Sequence, residues 1–122
     1  MDLAALRFAF FNLDVARQAV DPVLHGMWIT VQLGVLITLT GLAAGLALAF
    51  VRALHWRVLN VCIIAFADVM RAMPPLVVLM MLFFAFPYIG LSMSAFFATW
   101  LALSLVLTAF AEEIFWAGIQ SI

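Results

Sequence analysis

Charge is what this sequence lacks. Forty residues from Ala72 to Ala111 pass without an Asp, Glu, Lys or Arg, and Pro22 to Val51 is equally free of them. Lysine is missing altogether, so the five cations are all arginines. Only 9% of residues are charged and 70% are hydrophobic, with a mean hydropathy of +1.31. A soluble domain holds an apolar fraction near about 45–50%. These values define an integral membrane protein. The net charge of −1 offers no basic patch, which removes nucleic acid and anionic lipid headgroups as expected partners. The single cysteine, Cys62, excludes an internal disulfide and a CxxC redox or metal pair; inside its apolar run it reads as a small hydrophobe. There is no GxxxxGK[ST] loop, so the chain does not bind and hydrolyse ATP by the P-loop route, and no cofactor is implied.

The charges that remain are placed at the ends of apolar runs. From Met1 to Asp21, Asp2, Arg7, Asp14, Arg17 and Asp21 alternate with Leu3, Leu6, Phe10, Leu13, Ala16 and Val20. The apolar positions recur at three- and four-residue steps, which predicts a helix lying in the membrane interface over residues 1–21. A cleavable signal peptide is not expected, because the start has no basic region and no small-residue cleavage site follows.

Residues 22–122 read as one membrane unit with helices over about 28–52, 58–86 and 95–116. Val31 to Val51 alone is long enough for the hydrocarbon layer, which needs about 20 residues. Trp28 and Trp56 bracket this first crossing at a spacing of about 42 Å along a helix. Gly34, Thr38, Gly41 and Gly45 form a small-residue stripe that contains a GxxxG match. Such a stripe serves a helix of this chain or of a second subunit equally well. Arg52, His55 and Arg57 follow, and a short positive connection belongs in the cytoplasm, which sets the N-terminus outside and the C-terminus inside. Phe86-Pro87-Tyr88-Ile89-Gly90 suits a turn at the outer surface. The last crossing ends at Glu112 and Glu113, with Trp116 at the inner belt. Ala98, Ala102, Leu105, Ala109 and Glu113 can share a face, which would turn one acidic group into a protein interface.

The one interruption inside apolar sequence is Asp68-Val69-Met70-Arg71-Ala72-Met73-Pro74-Pro75. Polar residues at membrane depth usually mark function. Asp68 and Arg71, at i and i+3, can neutralise each other. Alternatively Arg71 faces a polar cavity or a partner subunit, and the prolines, each lacking an N–H, leave carbonyls that protein or water must satisfy. Val58 to Phe86 exceeds one span. Either a long helix bends at Pro74-Pro75, or Val58 to Arg71 lies partly at the cytoplasmic face and Ala72 to Leu91 crosses. His25 and His55 fall on opposite sides of the membrane in this topology and do not form a metal site. No serine has a histidine partner or a GxSxG frame, and Glu112-Glu113 diverge by about 100° on a helix, so no catalytic residues are assigned.

Four blocks carry a family resemblance: Gly26-Met27-Trp28-Ile29-Thr30-Val31; Arg71-Ala72-Met73-Pro74-Pro75-Leu76-Val77-Val78-Leu79; Phe86-Pro87-Tyr88-Ile89-Gly90-Leu91; and Ala109-Phe110-Ala111-Glu112-Glu113-Ile114-Phe115-Trp116-Ala117-Gly118-Ile119. In order and spacing they resemble the permease subunits of ABC-type polar amino-acid importers. That family shows a G-x-x-x-T helix start, an R-G-T-P-L-L block and an A-Y-x-A-E-I-F block. The matching positions are Gly26, Thr30, Arg71, Pro74, Leu76, Ala109, Glu113 and Ile114. Ala72 and Met73 replace Gly-Thr, Pro75 replaces a leucine, Phe110 replaces a tyrosine, and Glu112 stands where a small residue is usual.

The resemblance implies an all-α importer fold of which this chain holds the N-terminal part, ending before the loop with the G-x-x-E-A-A motif that docks the ATPase. It further implies a bacterial cytoplasmic (inner) membrane location, a second permease subunit, cytoplasmic ATPase subunits and an extracytoplasmic amino-acid-binding protein. Arg71, Pro74, Glu113 and Thr30 are the expected pathway or motif positions, and Gly34, Gly41 and Gly45 the helix-packing positions. Three alternatives remain: a small structural or regulatory subunit packing through the glycine face, a permease fragment without function, or a membrane enzyme using Glu112 and Glu113.

Overall fold

A computed structural model describes residues 3–122 of the chain; Asp2, counted above in the N-terminal helix, lies outside the described residues. Five α-helices carry the chain: α1 Leu3–Phe10, α2 Leu13–Ala53, α3 Arg57–Ala72, α4 Pro75–Met80 and α5 Ala95–Gln120. No strand occurs among the described residues. Two compact units are distinguished, one through Gln32 and one from Leu33 to Ile122.

In the first unit the helix break falls earlier than the charge pattern suggested. The Asn12 side-chain oxygen accepts from the backbone N–H of Asp14 at 3.1 Å and of Val15 at 3.3 Å. Those are the second and third positions of α2, so Asn12 is its N-cap. At residues 21–22, where the sequence predicted a boundary, α2 continues with Pro22 inside it. Pro22 removes only the N–H that would bond the Gln18 carbonyl.

In the second unit the ends of the helices follow from local chemistry. After Ala53 the chain turns through His55, whose φ of 57° is the left-handed region for a residue that is not glycine; its Nδ1 lies 2.6 Å from the Ala53 carbonyl oxygen. The proline pair then ends one helix and starts another. Met73 is extended at φ −93°, ψ 131°, as a residue before proline must be. Pro74 is the N-cap of α4 and Pro75 its first residue, where a helix needs no N–H. The prolines therefore cost α4 no hydrogen bond; the carbonyls that their missing N–H groups would have met, those of Met70 and Arg71, fall in the last turn of α3, where a helix leaves its carbonyls without helical partners in any case. The two helical segments meet at 102°.

Beyond α4 the helix widens into a π turn over Met81–Ala85 and tightens into a 3-10 turn over Phe86–Ile89. Gly90 closes it at φ 84°, with its N–H on Pro87 O at 3.1 Å and the Leu91 N–H on Phe86 O at 3.1 Å. This is the left-handed helix stop that glycine serves at no steric cost. Ser94 then caps α5, its hydroxyl accepting from Phe97 N at 3.2 Å.

The core lies where α4 and the π turn meet α5. Val78 and Leu82 are buried against Ala98, Ala102 and Val106, with Met70, Met73 and Phe86 packed at the edge. Large residues on one side and alanines on the other let the backbones approach closely. Most large hydrophobic side chains elsewhere, among them Phe50, Leu76 and Ile114, are exposed, as expected of surfaces that face lipid. By length and apolarity α2 and α5 each can cross a membrane, and α3 with the segment from Pro75 to Ile89 adds a third crossing if the bent pair is one span.

Candidate functional site

The second unit joins α2 to α5 along a narrow polar seam. On α5, Ser104, Thr108 and Glu112 are all buried and stand four residues apart, so they stack along one face. Trp100 extends the same line by one turn. On α2, Thr40 donates its hydroxyl proton to Leu36 O at 2.6 Å. With that proton committed, its oxygen accepts from the Trp100 indole N–H at 3.2 Å and from the Ser104 hydroxyl at 2.9 Å. Thr108 turns its own hydroxyl back to Ser104 O at 2.7 Å.

Two glycines make that approach possible. A Cβ at Gly45 would lie 2.6 Å from Ala111 Cβ and 3.0 Å from the Glu112 backbone nitrogen; one at Gly41 would lie 2.7 Å from a Leu107 methyl. Gly34, the third member of the predicted packing stripe, has nothing within 4 Å of such a Cβ. Gly41 and Gly45 are thus occupied inside the chain and Gly34 is open.

The seam ends in a charged cluster. Arg52, at the last turn of α2, places Nη1 at 3.0 Å and 3.3 Å from the two carboxylate oxygens of Glu112 and at 3.8 Å from Glu113. Its guanidinium also stacks over Trp116, 4.7 Å from the ring centroid, a cation–π contact. Arg71, at the last turn of α3, is 2.7 Å from Asp68 on its own helix and 3.4 Å from Glu113 on α5. Two guanidinium groups therefore face three carboxylates, and Glu113 is the one they share. The two halves differ in burial: Glu112 is 0% exposed and Arg52 12%, whereas Arg71 and Glu113 are 30% and 41%.

The predicted positions are only partly brought together. Arg71 and Glu113 meet directly, and Pro74 ends the helix that carries Arg71. Thr30 belongs to the first unit, where its hydroxyl bonds the Gly26 carbonyl at 2.9 Å. Glu113 is turned toward protein, between Arg52 and Arg71, but it is only half-buried, and it is not the acid enclosed in the α2–α5 interface. Ala98, Ala102 and Ala109 are buried as that face required, but the buried acid is Glu112, because α2 approaches from the side that Ser104 and Thr108 mark. In the sequence Arg52 serves only as an orienting charge; its pairing with Glu112 depends on α2 lying on α5. The four-residue recurrence of Trp100, Ser104, Thr108 and Glu112 was the signal available for the seam. Among the described residues no group of three or more His, Cys, Asp or Glu is placed to hold a metal ion.

Apolar spanning helices with a buried polar seam and ion pairs at one end define an α-helical membrane protein. Comparison with known proteins narrows this. No family model matches the chain. It is 30% identical over 112 residues to a probable amino-acid ABC transporter permease protein of Bacillus subtilis, covering 92% of this chain and 50% of that relative. It is 31% identical over 101 residues to a putative glutamine transport system permease protein of Rickettsia conorii, covering 82% and 46%. An L-cystine transport system permease protein of Bacillus subtilis is 30% identical over 110 residues, covering 89% and 47%. Among solved structures, an amino acid ABC transporter crystallised with histidines superposes with a TM-score of 0.80 at 26% identity, covering 88% of this chain and 51% of that one. The chain spans about half the length of the curated relatives it matches. It is a homologue of amino-acid ABC transporter permeases and shares their fold over that length.

Proposed function

We propose that this chain is a membrane-spanning component of an ATP-driven amino-acid uptake system and contributes part of the translocation pathway. The carrying observation is the similarity to three amino-acid permeases together with the fold shared with an amino acid ABC transporter. In this reading it sits in a bacterial cytoplasmic membrane with its N-terminus outside and the Arg52–Arg57 connection inside, following the bias of arginines to cytoplasmic loops. It works with a second permease subunit, cytoplasmic ATPase subunits and an extracytoplasmic binding protein. Arg71 and Glu113 line or orient the pathway near its inner end, Pro74 sets the bend above them, and Thr30 stabilises the first spanning helix. Gly41 and Gly45 hold α2 to α5, leaving Gly34 for contact outside the chain.

The alternatives draw on features already engaged. A subunit docking through the glycine face would need Gly41 and Gly45, and an enzyme using both carboxylates would need Glu112, which is enclosed with Arg52.

Uptake of radiolabelled amino acids by cells carrying the chain with its transport partners tests the reading. Arg71→Ala is expected to impair uptake far more than Asp68→Ala, because among the described residues Arg71 is the α3 side chain that links to Glu113. Equal losses would reduce Arg71 and Asp68 to a self-neutralising pair, and amino-acid turnover by the purified chain without an ATPase would overturn the transport reading.

A further inference from the structure

The two ion-pair links to α5 are not equivalent. Arg52 and Glu112 are enclosed, and each would lose its main partner if α2 and α5 parted. Arg71 and Glu113 are both partly exposed, and each has a second partner: Asp68 for Arg71 at 2.7 Å, Arg52 for Glu113 at 3.8 Å. Breaking the Arg71–Glu113 contact therefore leaves neither charge alone. The Arg71–Asp68 contact, at 2.7 Å within α3, is already shorter than the 3.4 Å contact across to α5. Around these charges the mechanical setting differs in the same sense. The hydroxyl and indole bonds of Thr40, Ser104 and Trp100 and the glycine contacts all fasten α2 to α5, whereas α3 packs on α5 with Ile63 and Ala67 buried but with no such hydrogen bond among the described residues, and ends at the 102° break of Met73-Pro74.

We infer that α2 and α5 form a fixed pair and that the Arg71–Glu113 contact is a releasable latch by which α3 closes on that pair. Arg71 gives up Glu113 and keeps Asp68 when the latch opens, so that the guanidinium holds a carboxylate throughout. Opening needs no breakage of the Arg52–Glu112 pair. The inference concerns the packing of this chain and stands apart from the transport reading, since it is tested without transport.

The one cysteine, Cys62, is free, exposed and on α3, which gives a native attachment point. Spin labels at Cys62 and at Ile114→Cys report α3 against α5 in the full chain reconstituted in lipid nanodiscs. Labels at Phe50→Cys and Ile114→Cys, with Cys62→Ala, report α2 against α5; Phe50 and Ile114 are exposed. Glu113→Gln is expected to shift or broaden the α3–α5 distance distribution and leave the α2–α5 distribution unaltered. Asp68→Asn, at an exposed carboxylate, is expected to narrow the α3–α5 distribution by removing the alternative partner. An unaltered α3–α5 distribution in Glu113→Gln, equal broadening of both pairs, or broadening in Asp68→Asn would each overturn the latch.

Discussion

Replacing Arg52 with methionine isolates the cost of an unmatched charge. Methionine keeps most of the arginine stem, so packing changes little, but Glu112 loses the guanidinium that holds both its oxygens at 3.0 Å and 3.3 Å. Arg71 does not substitute, because its reach on α5 is to Glu113. With Glu112 0% exposed, the variant belongs with broken buried pairs, which cost about 3–5 kcal/mol, or roughly a hundredfold or more in the folding equilibrium. The converse change, Glu112→Met, leaves Arg52 with the Trp116 face and Glu113, and is expected to cost about 1–3 kcal/mol. The double variant Arg52→Met/Glu112→Met removes both charges and is expected to return to within about 1 kcal/mol of the parent. Reversible unfolding of the full chain in lipid bicelles, followed by steric trapping, measures all three. A double variant as unstable as Arg52→Met, or an Arg52→Met cost below about 1 kcal/mol, would refute the view that the pair is a buried unit whose charges depend on each other.

Two further outcomes follow from the backbone. Gly45→Ala is expected to destabilise the α2–α5 pair by about 1–3 kcal/mol, since two of the atoms it meets are backbone and cannot give way, while Gly34→Ala changes unfolding by less than about 0.5 kcal/mol; the same unfolding assay compares them. Gly90→Ala, which forces φ 84° on a side-chain-bearing residue, is expected to cost about 1–2 kcal/mol, and Gly90→Asn less than Gly90→Ala.

What could be read in advance was set by chemistry local to the chain. The end of α3 at Met73 and the start of α4 at Pro75 are consequences of proline geometry alone, and the stop at Gly90 of glycine's freedom. Choosing between Glu112 and Glu113 was of another kind. Adjacent residues on a helix face about 100° apart, so which one is buried depends on where the neighbouring helix lies, and that neighbour is some 60 residues away in the chain. The same distance hid Arg52, whose charge is plain in the sequence but whose partner is not. The N-terminal break was missed for a smaller reason: Asn12 as a cap is a weaker signal than Asp21-Pro22, yet a long helix tolerates an internal proline.

The hydroxyl bonds bear on how such a chain enters a bilayer. Thr30, Thr38, Thr40, Thr99 and Thr108 each return their proton to the carbonyl four residues earlier. These groups are satisfied within a single helix, before any neighbour arrives, so they add little to the cost of insertion. Glu112 has no such local remedy. Its mate is delivered by α2, which is synthesised first and already carries Arg52 at its membrane edge when α5 emerges. The order of the helices along the chain therefore lets the acid be matched as it enters, and a permuted chain presenting α5 ahead of α2 would hold that carboxylate unmatched during biogenesis.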